Sequence, residues 1–192
     1  MRLFIGIDFP PMVVDALYSL QNKIRSTVRG GRFPARDNLH LTLQFLGETP
    51  ESRIGEIHQA LSAVAFQHRP FQIAVGDRIG YFGPPNFVRV VWVGLTGELA
   101  ALSVLQADVA QALREVGFPE ENRPFMPHIT LARDVTFLSQ DTVRKDGRLD
   151  VPLTLFPPVT VRHFSLIVSE IVQGRRRYRS TGDFRLRGGA EA

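Results

Sequence analysis

Asn38-Leu39-His40-Leu41-Thr42-Leu43-Gln44-Phe45-Leu46-Gly47 returns in part as Pro127-His128-Ile129-Thr130-Leu131-Ala132-Arg133, so the unit histidine, aliphatic, threonine, leucine occurs twice. In an extended strand, side chains two apart point to the same face. Each copy therefore sends an imidazole and a hydroxyl one way and two aliphatic side chains the other. The chain has five histidines, His40, His58, His68, His128 and His163, and ten threonines in 192 residues, so about one histidine in twenty would meet Thr two places on by chance. One copy would fit the polar face of any half-buried strand. Two near-identical copies point to a shared arrangement: two facing strands with two proton-transfer groups and two hydroxyl donors.

Outward from the motifs, Arg2–Phe9 reads as a strand, with Leu3, Ile5 and Ile7 alternating against Phe4 and Gly6. Pro10-Pro11 opens a helix whose apolar stripe is Val13, Leu17, Leu20, Ile24 and Val28, ended by Gly30-Gly31. Leu39–Leu46 is the first motif strand. Thr49 is placed to cap a second helix with Pro50 in its first turn and Ile54, Ile57, Leu61 and Val64 on its buried face. His58 beside that stripe reads as a boundary residue, and His68 as a loop residue. Phe71–Val75, Ile79–Phe82 and Phe87–Leu95 read as three strands, with the turn Gly83-Pro84-Pro85-Asn86 before the last and Trp92 as core or rim packing. A third helix runs from about Gly97 to Val116, with Leu102, Leu105, Val109, Leu113 and Val116 on one face. Pro127–Arg133 is the second motif strand, and Leu138–Lys145 reads as a short helix. Val151–Leu155, Thr160–Ile171 and Arg176–Leu186 read as closing strands, with Gln173-Gly174 turning the last hairpin and Gly188–Ala192 as a tail.

That order is a loose duplication with one motif per half. It predicts an α+β fold: bilobal, pseudo-two-fold, with two largely antiparallel sheets facing a central groove and helices outside. Residues 1–192 read as one domain of two lobes. There is no cysteine, so disulfides, thiol nucleophiles and Cys-based metal sites are excluded, in keeping with a reducing cytoplasm. The N-terminal apolar stretch is too short for a signal peptide, and no run reaches membrane-spanning length. The net charge of +4 is arginine-rich, with Lys only at Lys23 and Lys145, which suits bidentate phosphate contacts.

Histidine moves protons near neutral pH, and a pair supplies a base and an acid for one step. Threonine hydroxyls can steady the charge on non-bridging phosphate oxygens. No G-x-x-x-x-G-K-[ST] loop or G-x-S-x-G elbow occurs. Asp8 or His163 could join the two motif histidines on a metal, but no ligand spacing supports it. Metal-free acid–base chemistry on a phosphate ester is the economical choice. Arg133 stands five places after His128, on the opposite face of a regular strand unless a bulge re-aims it, and reads either as a phosphate ligand or as a partner of Asp134 or Asp8. Arg175, Arg176, Arg177 and Arg179 read as a solvated edge or as RNA-backbone contacts.

These paired motifs resemble those of the 2H phosphoesterase superfamily, and within it the RNA 2′,3′-cyclic phosphodiesterases formerly called 2′-5′ RNA ligases. Arg2–Asp8, Gly80–Leu95 and Tyr178–Phe184 match in character as well. The resemblance implies opening of a terminal 2′,3′-cyclic phosphate to a 2′-phosphate with no cofactor or metal. It implies His128 as proton acceptor, His40 as proton donor, and Thr42 and Thr130 on the phosphate. Phe4, Phe45 or Tyr81 could stack on a base. The expected partner is RNA or a nucleotide ending in the cyclic phosphate, met by a monomer away from membranes. Spacing alone leaves the acid and base labels interchangeable. Two rival readings are ATP-independent 2′-5′ ligation and a non-catalytic RNA-end-binding module.

Overall fold

A computed structural model describes the chain except residues 85, 120, 122, 140, 141, 143–147, 152–155 and 189–192, and describes Asp77 by its backbone alone. The strands are β1 (Arg2–Asp8), β2 (Val28–Arg29), β3 (His40–Glu48), β4 (Phe71–Phe82), β5 (Val88–Gly97), β6 (His128–Phe137), β7 (Val159–Val161), β8 (His163–Val172) and β9 (Arg175–Arg185). The helices are α1 (Pro11–Arg25), α2 (Ile54–Gln67) and α3 (Leu99–Glu115). The described strands form one curled sheet in the order β7-β4-β5-β6-β3-β1-β8-β9, with β2 pairing β6, and every ladder is antiparallel.

The two expected sheets are the two halves of this sheet. They meet at a single Cα pair, Leu41↔Ile129, in the middle of the two motifs. About that seam β3 corresponds to β6 and β1 to β5. The units β1-α1-β3 and β5-α3-β6 repeat each other, as the duplicated motif predicts. One face of the sheet is covered by the helices over a continuous apolar core, in which Leu41, Leu43, Ile129 and Leu131 are all buried. Burying each of these side chains contributes roughly 1.5–3 kcal/mol, so the aliphatic half of each motif locks its register and leaves the polar half on the open face.

The structure corrects several expected boundaries. α1 ends at Arg25, and Val28 belongs to β2, where it pairs with Phe137 of β6. Thr49 does not cap α2, because its hydroxyl turns back to the Gly47 carbonyl and a short 3-10 turn, Glu51–Arg53, precedes the helix. The expected strands Phe71–Val75 and Ile79–Phe82 are one strand, β4, carried past an irregularity between Val75 and Ile79. The expected strand Thr160–Ile171 is divided at Arg162 into β7 and β8, which pair with different neighbours. Gln173 (φ 51°) and Gly174 (φ 74°) turn the β8–β9 hairpin, both in the left-handed region that such tight turns require. Most of the expected Leu138–Lys145 helix, Val151–Leu155 strand and C-terminal tail lies outside the described residues.

Candidate active site

Each motif strand carries a bulge at the same point. Against β1, Thr42 pairs with Gly6 and Gln44 with Ile5, so Leu43 is the extra residue. Against β5, Thr130 pairs with Trp92 and Ala132 with Val91, so Leu131 is the extra residue. In both cases the motif's final leucine and the residue after it, Gln44 or Ala132, are buried in succession. Parity is thereby reversed. Phe45 and Arg133, each five places after a histidine, emerge on the histidine face. Asp134, weighed as a partner for Arg133, is bonded by Arg32 instead.

A glutamine from the opposite half supports each bulge. Gln21 of α1 donates to the Leu131 carbonyl at 3.0 Å and to the Pro34 carbonyl at 3.0 Å. Gln106 of α3 donates to the Leu43 carbonyl at 3.4 Å. The sequence signal was present in Leu20-Gln21 and Leu105-Gln106, equivalent points of the duplicated helices, but helical periodicity explains only the leucines.

The two histidines are held alike. His40 Nδ1 lies 2.7 Å from the Asn38 carbonyl oxygen, and His128 Nδ1 lies 2.7 Å from the Met126 carbonyl oxygen. A carbonyl can only accept, so each Nδ1 carries the hydrogen and each neutral ring keeps its lone pair on Nε2. His40 Nε2 stands 3.0 Å from Thr42 Oγ1, which donates to it. Asn38 is itself buried, and its side-chain amide donates to the Arg176 carbonyl of β9 at 2.9 Å. The orienting carbonyl of His40 is therefore tethered to the far edge of the sheet. At the seam, the antiparallel register about Leu41↔Ile129 sets His40 toward Thr130 and Thr42 toward His128.

Burial above all, opposed by the bond to Asn38 and aided by the charges of Arg133 and His128, holds the His40 imidazole down at about 4. Burial also lowers His128, again with Arg133 acting in the same direction. Arg133 thus bears electrostatically on both rings, which the strand-parity argument alone did not decide. In the free protein both rings are neutral near pH 7.

The aromatic residues divide between the halves. Phe4 is buried, 3% exposed, with its ring centre 4.7 Å from that of His40, and Tyr178 meets His40 edge-on at 5.1 Å. On the other side Phe82 meets His128 edge-on at 5.5 Å, with Trp92 at 6.3 Å. The Trp92 ring lies flat over Gly80, where any Cβ would fall 2.3 Å from it. Tyr81 is a correction: it alternates to the core face and packs edge-on against Phe137, so the groove aromatic of β4 is Phe82. Phe45, 59% exposed and 6.1 Å from Phe4, is the one expected stacking residue that the structure leaves open on the histidine face.

Other expected candidates fall elsewhere. His58 packs on Gly182 and edge-on against Phe184, and His68 bonds Asp108 at 2.8 Å. Among the described residues, no group of three or more His, Cys, Asp or Glu side chains converges to hold a metal ion. None of the described helices is long and apolar enough to cross a membrane.

Comparison with known proteins agrees with this architecture. The family model of the 2'-5' RNA ligase superfamily matches residues 13–171. The RNA 2',3'-cyclic phosphodiesterase of Thermus thermophilus is 34% identical over 193 residues, covering 98% of this chain and 91% of that protein. The protein of the same name from Geobacillus stearothermophilus is 33% identical over 130 residues, covering 68% of this chain but 41% of the longer relative. The crystal structure of Escherichia coli LigT complexed with 3'-AMP superposes with a TM-score of 0.72 at 30% identity, covering 96% of this chain and 97% of that one. The chain belongs to the 2'-5' RNA ligase superfamily, whose 2H phosphoesterase character its paired motifs had led us to expect.

Proposed function

We propose that this protein is an RNA 2′,3′-cyclic phosphodiesterase that opens a terminal cyclic phosphate to a 2′-phosphomonoester by acid–base catalysis between His128 and His40. The observation that carries the reading is the seam. Two Nε2 atoms, each freed by an Nδ1–H bond to a backbone carbonyl, lie on one face with two threonines between them.

In this reading His128 Nε2 takes a proton from water as the water oxygen bonds to phosphorus. The P–O3′ bond breaks on the opposite side, and the His40 imidazolium delivers its proton to O3′. Thr42 and Thr130 donate to the non-bridging oxygens, and Arg133 offsets the charge that builds on them. Phe45 offers its exposed face to the terminal base. The resting bond from Thr42 to His40 breaks when His40 gains its second proton, which frees the hydroxyl for the phosphate.

Residues 1–192 act as one unit, a monomer in the cytoplasm. The cysteine-free composition supports the compartment. The meeting of both motifs within one chain supports a site complete in a single copy. The test is turnover of a 2′,3′-cyclic nucleotide by the wild type beside His40→Ala and His128→Ala, with the product isomer identified. Loss in both variants and a 2′-phosphate product support the reading, and full activity in either variant ends it.

A further inference from the structure

The face of β1, β8 and β9 that holds Phe4 and Tyr178 continues beyond the two motifs, and its rows follow from the register. Ile171 pairs with Arg176. Next comes Arg2 beside Ser169 and Tyr178, then Phe4 beside Ile167 and Ser180, then Gly6 beside Ser165 and Asp183. The row after that brings His163 and Arg185 alongside Asp8. Of Arg175, Arg176, Arg177 and Arg179, only Arg176 shares the Tyr178 face. Its guanidinium bonds the Ser169 hydroxyl at 2.6 Å, whereas Arg179 alternates outward to Glu170.

The wall is electrically polar. One end has Arg2 and Arg176, with Glu48 opposite Arg2 in the strand register and its carboxylate 3.8 Å from the N-terminal amine. The other has Asp8 and Asp183 against Arg185, and the hydroxyls of Ser165 and Ser180 hold the Asp183 carboxyl below its usual range. The basic end also carries exposed apolar surface: Ile171 is 61% exposed.

We infer that the RNA chain preceding the cyclic phosphate runs along this wall toward Ile171 and Arg176, with the Arg176 guanidinium on an upstream phosphodiester. This rests on the cyclic phosphodiesterase reading with His40 on the side of the departing O3′. In-line attack puts water and leaving oxygen on opposite sides of phosphorus. O3′ belongs to the ribose, so the ribose and everything 5′ of it lie on the His40 side. From there a polyanion is drawn to the arginine end and repelled by the Asp8–Asp183 end. Four residue steps along β1 separate the Gly6 and Arg2 rows, about 13 Å of strand, enough for more than one nucleotide.

The opposite wall supplies a control. Arg78 lies across Gly94, in the row of His128, with its guanidinium 5.6 Å from the Trp92 ring centre. It is the rival cation if the RNA leaves by the other half.

The experiment compares kcat/KM for a mononucleotide 2′,3′-cyclic phosphate with that for a trinucleotide ending in the same group, over a range of salt, for wild type, Arg176→Ala and Arg78→Ala. The wild type is expected to favour the trinucleotide. Arg176→Ala should lose roughly five- to tenfold on the trinucleotide alone, and its salt slope should shrink by about 0.7. An unchanged trinucleotide rate in Arg176→Ala, or a loss that falls on Arg78→Ala instead, overturns the inference while leaving the enzymatic reading intact. A wild type inert toward both substrates removes both.

Discussion

The low proton affinity of His40 has a kinetic consequence. An acid catalyst must arrive protonated, yet burial and Arg133 hold His40 at about 4 and lower His128 as well. Activity that needs protonated His40 falls as pH rises through its pKa, and activity that needs neutral His128 falls as pH drops through its own. Both pKa values lie below the ordinary histidine value of 6.5. The kcat/KM profile reports the free enzyme, so its bell should lie wholly below that value. Bound substrate changes this. A phosphodiester anion about 4 Å from the ring, at an effective dielectric of about 20, favours the imidazolium by about 4 kcal/mol. That is roughly a thousandfold in proton affinity, enough to bring His40 to near-neutral titration in the complex. The kcat bell should therefore stand well to the alkaline side of the kcat/KM bell. Initial rates on a cyclic nucleotide from about pH 4 to about pH 9 at constant ionic strength would show it. Superimposed profiles centred at or above neutrality would refute the electrostatic account of the site.

Other expectations follow from single contacts. Arg133→Gln removes a charge that lowers both histidines and, in the proposed mechanism, the group that offsets charge on the phosphate, so kcat/KM should fall by about 10²-fold while both limbs of the pH profile move upward; a loss with unmoved limbs would mean that Arg133 binds without tuning. Asn38→Ala leaves the orienting carbonyl but cuts its tether to Arg176, and should lower kcat roughly tenfold with little change in KM, a split that steady-state kinetics will display. Gln21→Ala leaves the Leu131 bulge carbonyl without its donor; urea unfolding should show a loss of about 1–3 kcal/mol, and KM should rise as Arg133 loses its aim.

Much of this architecture was legible because it is periodic. His40 and Thr42, like His128 and Thr130, could be put on one face from spacing alone, since strand parity is a local property. Leu41 and Ile129 could be put in the core for the same reason. Arg133 and Phe45 could not be placed, because a bulge costs one residue and leaves no mark in composition. Only the paired ladder shows that Leu43 and Leu131 are extra. Tyr81 could be offered as a stacking residue but not given a face, because the irregularity between Val75 and Ile79, read as a break between two strands, hides which residues of β4 turn to the groove. Asn38 escaped notice because its role joins the short 3-10 turn Arg36–Asn38 to a strand 138 residues away. Val28 was lost to helical periodicity because a two-residue strand has no period of its own. The acid and base labels of the two histidines rest on family resemblance, since a pseudo-symmetric seam gives both rings the same Nδ1 bond.

The central claim is that two histidines, one from each half, move two protons across a single phosphorus. Its most direct test is turnover of a 2′,3′-cyclic nucleotide in the presence of a chelator by wild type, His40→Ala and His128→Ala, with the product resolved as 2′- or 3′-phosphate. The account predicts chelator-insensitive formation of the 2′-phosphate by the wild type and a fall of at least about 10²-fold in each variant. Turnover retained by either variant, or a 3′-phosphate product, would contradict it.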